Sequence, residues 1–173
     1  MTSAELDPAS EIEDRAGLDK AYADPHKVYM EGDSLFVAGT NSVVDAVDDM
    51  ALPFGLTKGS QRYIDTERVL AANPKIRRIV GHSLGGAVSL ELGKQRPDLK
   101  TRTYGAPVVS MTGGQRYRSS GDPVSMFDWG AKTTAPTTLN PHSYRDLAAK
   151  VLKPGSGVGS GSYDLNGISH AYR

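Results

Sequence analysis

The stretch Gly81-His82-Ser83-Leu84-Gly85-Gly86 constrains this chain most, because its serine stands between glycines, directly after a short apolar run and before a helical pattern. Such a layout is that of a nucleophile elbow, a sharp turn from strand into helix. Glycines two before and two after the serine let the backbone close up without a Cβ clash. The serine hydroxyl is then exposed and fixed, and the first helical turn beside it presents unpaired N–H groups and a positive dipole end. One element thereby supplies a candidate nucleophile, Ser83, and one candidate oxyanion donor, the N–H of Leu84.

The surrounding pattern predicts the elements that an elbow needs. Residues 60–72 read as a helix, with Tyr63 and Ile64 recurring one heptad later as Leu70 and Ala71 before Asn73-Pro74 stops it. Residues 76–80 read as the strand, although Arg77 and Arg78 interrupt it and leave only Ile79 and Val80 as interior positions. Leu84, Val88 and Leu92 then mark one buried helical face that ends before Pro97. Elsewhere, residues 35–38 predict a buried strand, 43–50 a short helix, and 100–109 and 115–126 two further strands. Ser10-Glu11-Ile12-Glu13 has capping-box spacing, which predicts a surface helix over 11–23 within an acidic N-terminal segment, residues 1–26. Residues 154–173 begin as a Gly/Ser-rich tether and read as a weakly ordered tail. The order of elements in between, residues 27–153, predicts an α/β domain with a mostly parallel sheet flanked by helices.

Composition narrows the chemistry. The chain has 173 residues, which suits one domain, and its 20 Lys and Arg balance 20 Asp and Glu. Zero net charge with scattered basic residues gives no case for a nucleic-acid partner. The absence of cysteine excludes disulfides, thiol catalysis and Cys-type zinc sites. Asp45, Asp48 and Asp49 read as a solvated helix face, so no metal is expected, and serine chemistry of the kind Ser83 suggests implies no cofactor. No signal peptide or membrane span is visible.

Serine needs a base, and that base is ordinarily a histidine oriented by a carboxylate. Of the four histidines, His82 lies inside the turn, where its side chain would point away from the Ser83 hydroxyl, and His26 precedes the sheet. His142 and His170 remain. His142 lies in a loop ahead of a helical pattern, whereas His170 lies beyond the Gly/Ser tether, so the better anchored His142 is preferred and His170 stays the alternative. Asp122, in Gly121-Asp122-Pro123-Val124 after a strand-like segment, is the candidate acid, with Asp128 in reserve. The order Ser83, Asp122, His142 is that of α/β-hydrolases.

Gly39-Thr40, Gly81-His82-Ser83-Leu84-Gly85-Gly86-Ala87, Tyr104-Gly105-Ala106-Pro107 and Asp122-Pro123-Val124 occur in this order, and together they resemble the class 3, fungal-lipase-like branch of the α/β-hydrolase superfamily, in a compact short form. The resemblance runs from about Lys27 to Asp146. It implies an α/β-hydrolase-like core, a Ser83-Asp122-His142 triad and an oxyanion hole built from Thr40 and Leu84, with Asp45 in a structural role. It also implies a lipid or small-ester substrate and transient contact with lipid surfaces. Longer members carry further N-terminal strands and a lid helix, for which this chain has no full room, although the apolar residues 50–56 could rim an acyl pocket. The expected function is a serine hydrolase of lipid carboxylic esters. The alternatives are a catalytically silent member with a partner-binding or particle-associated structural role, and an amidase or peptidase on the same scaffold.

Overall fold

The computed structural model describes residues 8–40, 59–107, 113–134 and 142–144. Three helices and six strands are present among them: α1 (Pro8–Ala23), β1 (Val28–Glu31), β2 (Ser34–Val37), α2 (Gln61–Ala72), β3 (Arg78–His82), α3 (Leu84–Gln95), β4 (Lys100–Tyr104), β5 (Gln115–Ser119) and β6 (Lys132–Thr134). The strands form one sheet in sequence order, β1-β2-β3-β4-β5-β6. β1 and β2 pair antiparallel across a tight turn at Gly32, and every later pair is parallel. The fold is therefore α/β with a mostly parallel mixed sheet.

Strand alternation distributes the core over both faces. Leu35, Val37 and Ile79 pack with Tyr63 and Leu70 of α2 and Val88 and Leu92 of α3. Phe36, Ala38, Val80, Tyr104 and Tyr117 point the other way and pack with Leu18 and Ala21 of α1. A parallel sheet must be covered on both faces, and these two layers do so. Full burial of each Val, Leu, Ile or Phe contributes about 1.5–3 kcal/mol.

The helix expected over 11–23 forms, but it is not a surface appendage. Leu18, Ala21 and the carboxyl-bearing Glu11 and Asp14 are buried beneath it. Its capping-box signature gave no hint of this, because an acidic helix facing a sheet needs basic partners that lie far along the chain. Those partners also explain the interrupted strand: Arg78 opens β3 and its guanidinium pairs with Asp14. Only Arg77 stays outside, donating to the Pro74 carbonyl at 2.6 Å. The apolar run thus becomes a strand two residues later than its pattern predicted, carrying Gly81 and His82 into the sheet. The strands expected over 100–109 and 115–126 end sooner, at Tyr104 and Ser119, and the residues after each turn toward the site. The short helix expected over 43–50, the apolar residues 50–56 and the tether from 154 lie outside the described residues.

Candidate active site

The carboxyl ends of four parallel strands carry the residues singled out in the sequence: Gly39 and Thr40 after β2, Ser83 after β3, Gly105 after β4 and Asp122 after β5. Such strand ends form the crevice where open α/β sheets bind ligands.

Ser83 stands between β3 and α3 with φ 53° and ψ −129°. A non-glycine residue in so sparsely populated a conformation stores about 1–3 kcal/mol of strain, which the flanking elements must hold. The Ser83 N–H donates to the Tyr104 carbonyl at 3.0 Å, and the Ser83 carbonyl accepts from Gly86 N–H at 2.8 Å. The neighbouring glycines are required by close approach. A Cβ on Gly81 would lie 2.3 Å from the Gly85 carbonyl oxygen, and one on Gly85 would lie 2.1 Å from that of Val37. The Ser83 side chain makes no capping bond to α3, so the helix's first amides, Leu84 N–H among them, are not consumed by it.

Asp122 and His142 meet directly. His142 Nδ1 lies 3.0 Å from both Asp122 Oδ1 and Oδ2. A carboxylate can only accept, so Nδ1 carries the proton and the lone pair of the neutral ring is on Nε2. The acid is fixed by two further donors, Val124 N–H at 2.9 Å and Ser125 Oγ at 2.5 Å. Burial alone would raise the Asp122 pKa, but the bonds from His142, Ser125 and Val124 outweigh it and hold the carboxyl below its usual range. Gly105, with φ 57°, is the floor of this pair: a Cβ there would stand 3.1 Å from His142 Nδ1 and 3.2 Å from Asp122 Oδ2. The reserve acid, Asp128, is committed elsewhere, accepting from Arg116 Nε at 3.1 Å in a buried pair.

His82 joins these parts. Its Nε2 lies 2.8 Å from the His142 carbonyl oxygen, an acceptor, so Nε2 carries the proton. Its Nδ1 must then accept from the Tyr22 hydroxyl at 2.5 Å, and that hydroxyl in turn accepts from Gly39 N–H at 3.1 Å. A directed chain therefore runs from Gly39 N–H through the Tyr22 hydroxyl and the His82 ring to the backbone of His142. Burial first, and the neighbouring His142 second, push the His82 pKa down to about 3, so the ring is neutral. The His82 and His142 ring centroids are 4.7 Å apart, which places His142 beside the residue adjoining Ser83. Arg62 of α2 completes the frame by donating to the carbonyls of Ala38 and of Gly39, the latter at 3.2 Å. The loop that carries Thr40 is thus held from both sides of the sheet. A Cβ on Gly39 would lie 2.6 Å from the Ser83 Cβ, so this loop abuts the serine.

Ser83, Leu84, Asp122, His142 and Thr40 are thus gathered at one end of the sheet, while His26 is exposed on the Asp65 side, 3.7 Å from that carboxylate. His170 lies outside the described residues, as do Asp45, Asp48 and Asp49. Sequence reasoning missed Tyr22 and Arg62, and it dismissed His82 because its ring avoids the serine. The only available signal for His82 was a polar ring inside an otherwise apolar strand end. Among the described residues, no cluster of three or more His, Asp or Glu side chains is placed to hold a metal ion. No helix among them is long and apolar enough to cross a membrane. No family model, curated protein or solved structure matches this chain.

Proposed function

We propose that this chain is a serine hydrolase of carboxylic esters on an α/β-hydrolase-type core, acting on acylglycerols or phospholipid acyl chains in the manner of the class 3 lipases its motifs resemble. The observation that carries this reading is the Asp122–His142 pair seated on Gly105, beside a serine held at a strained strand-to-helix turn. In the proposed reaction, Ser83 Oγ attacks the ester carbonyl carbon as His142 Nε2 takes its proton. Asp122 holds the Nδ1–H tautomer and stabilises the imidazolium that forms. Leu84 N–H and Thr40 bind the tetrahedral oxyanion, His142 protonates the departing alkoxide, and water then releases the acyl group by the same path.

Covalent labelling with a fluorophosphonate, read by intact mass, tests this reading on the native chain and on Ser83→Ala, Asp122→Asn, His142→Ala and His170→Ala. The expected result is one label on the native chain and on His170→Ala, none on Ser83→Ala, and a rate reduced by orders of magnitude in the other two. One observation favours the silent alternative: Ser83 is only 2 % exposed. A folded native chain that takes no label would establish that alternative.

A further inference from the structure

The loop that follows Asp122 displays large apolar side chains where a folded chain ordinarily hides them. Met126, Phe127 and Trp129 are 49 %, 47 % and 69 % exposed, and among the described residues only Ile12 joins them as a large exposed hydrophobic. The loop carrying them is not slack. Val124, Ser125 and Asp128 are buried. Asp128 is ion-paired with Arg116 Nε at 3.1 Å, and Arg118 donates to the Met126 carbonyl at 3.1 Å. Ser125 Oγ donates to Asp122, so the loop is stapled to the proposed triad acid itself. Three bulky apolar groups are thus held out in water on a fixed support.

We propose that Met126, Phe127 and Trp129 form a fixed docking element that inserts into the surface of a lipid aggregate, next to the site that would hydrolyse it. The occupant follows from size and charge. A stable protein–protein interface needs roughly 20–30 residues a side, and three side chains on one loop fall far short. A bilayer interface, by contrast, accepts a few tryptophan, phenylalanine and methionine side chains, each gaining from its own burial. Charge also permits it. Both carboxylates of the loop, Asp122 and Asp128, are buried and paired, so its outer surface carries none to repel a headgroup phosphate. Lys132, at the start of β6, is exposed and supplies a positive charge at the loop's far end. The docking geometry stands without the hydrolase reading, but its purpose rests on that reading.

Trp129 is the sole tryptophan of the chain, so its emission reports on this loop alone. The test uses the full chain bearing Ser83→Ala, titrated with phosphatidylcholine vesicles with and without phosphatidylglycerol, and read by Trp129 emission and by co-sedimentation. Docking predicts a blue shift that grows with lipid, and co-sedimentation that weakens about tenfold or more in Met126→Ser/Phe127→Ser. Trp129→Phe should sediment as the parent does, and circular dichroism on each variant verifies the fold. An unshifted emission without sedimentation overturns the proposal, as does a blue shift that depends on protein concentration in the absence of lipid, which would assign the patch to a second copy. Fluorophosphonate labelling separates the two readings. A native chain that labels but ignores vesicles overturns docking alone, and one that binds vesicles without labelling supports docking while the hydrolase reading fails.

Discussion

Helix α1 lies against two buried polar clusters, and they are built on opposite principles. Near its start the cluster is ionic. The Asp14 carboxylate, fully buried, accepts from Arg78, from Arg102 at 2.8 Å and from the Tyr104 hydroxyl at 2.8 Å, while Arg102 also donates to Ser10 Oγ at 2.6 Å. Near its end the cluster is built on neutral rings: Tyr22 bonds His82 and stacks on Tyr144 with ring centroids 5.5 Å apart, and Tyr144 donates outward to the half-buried carboxylate of Asp19. The difference has a physical logic. A buried carboxylate between two guanidiniums fixes helix against sheet through strong point charges, and nothing in it needs to change charge state. At the other end, in the proposed reaction, a proton arrives at His142. A fixed cation beside that imidazole would oppose its protonation, whereas a neutral tyrosine and histidine orient the segment without opposing it. Arg62 comes near only by binding the carbonyls of Ala38 and Gly39.

The largest effect should separate the two clusters by function. Asp122→Asn keeps the shape of the site but favours the wrong tautomer of His142, and the rate of fluorophosphonate labelling should fall by about four orders of magnitude. Its urea midpoint should move far less than its rate. Next comes Asp14→Ala, which strands Arg78 and Arg102 without their shared anion and should destabilise the fold by about 3–5 kcal/mol in urea denaturation. Its labelling rate per folded molecule should stay within a few-fold of the parent. A large rate loss in this variant would mean that the ionic end also sets site geometry, and the contrast drawn above would fail. Tyr22→Phe lies between. It removes the hydroxyl linking Gly39 to His82, so it should cost about 1 kcal/mol of stability and slow labelling about ten- to a hundredfold by loosening the Thr40 loop and the His142 backbone.

The same contrast explains what could be read from the chain in advance. The turn at Ser83 and the helices α2 and α3 were legible because their signals are local: glycine spacing, a periodic apolar face and Asn73-Pro74 as a stop. The Asp122–His142 pair followed from chain order and local loop context, because only two histidines were suitably placed. Neither cluster beneath α1 could be found that way. Asp14 and Arg102 pair across 88 positions, and Tyr22 and His82 across 60, and no spacing rule reaches so far. The hairpin strand β1 was missed because four residues, Val28 to Glu31, carry too little alternation to register. β6 is shorter still, at three residues.

The smallest effects, and the sharpest form of the comparison, concern pH, where one buried group near each end of α1, His82 and Glu11, should respond in opposite directions. His82 is buried and neutral, with its pKa lowered from 6.5 to about 3 by burial and by the nearby His142. The unfolded chain therefore binds this proton more readily than the folded one. The contribution of His82 to stability is fully present above pH 6.5 and is lost as the pH falls toward 3. Glu11 does the reverse. It is 1 % exposed, and its carboxylate oxygens have no hydrogen-bond partner among the described residues. Burial raises its pKa from 4.5 to about 7 against the opposing pull of Arg102 and Lys132. Here the folded state holds the proton more tightly, so stability is fully present below pH 4.5 and is lost as the pH rises through 7. Urea midpoints measured across pH 4–8 on the parent, His82→Gln and Glu11→Gln resolve the two. Glu11→Gln should lose the decline on the alkaline side and keep the acid one, and His82→Gln should do the opposite. If Glu11→Gln leaves the alkaline slope intact, its carboxyl is not the buried proton site, and the ionic end of α1 balances its charges as fully as the Asp14 bonds suggest.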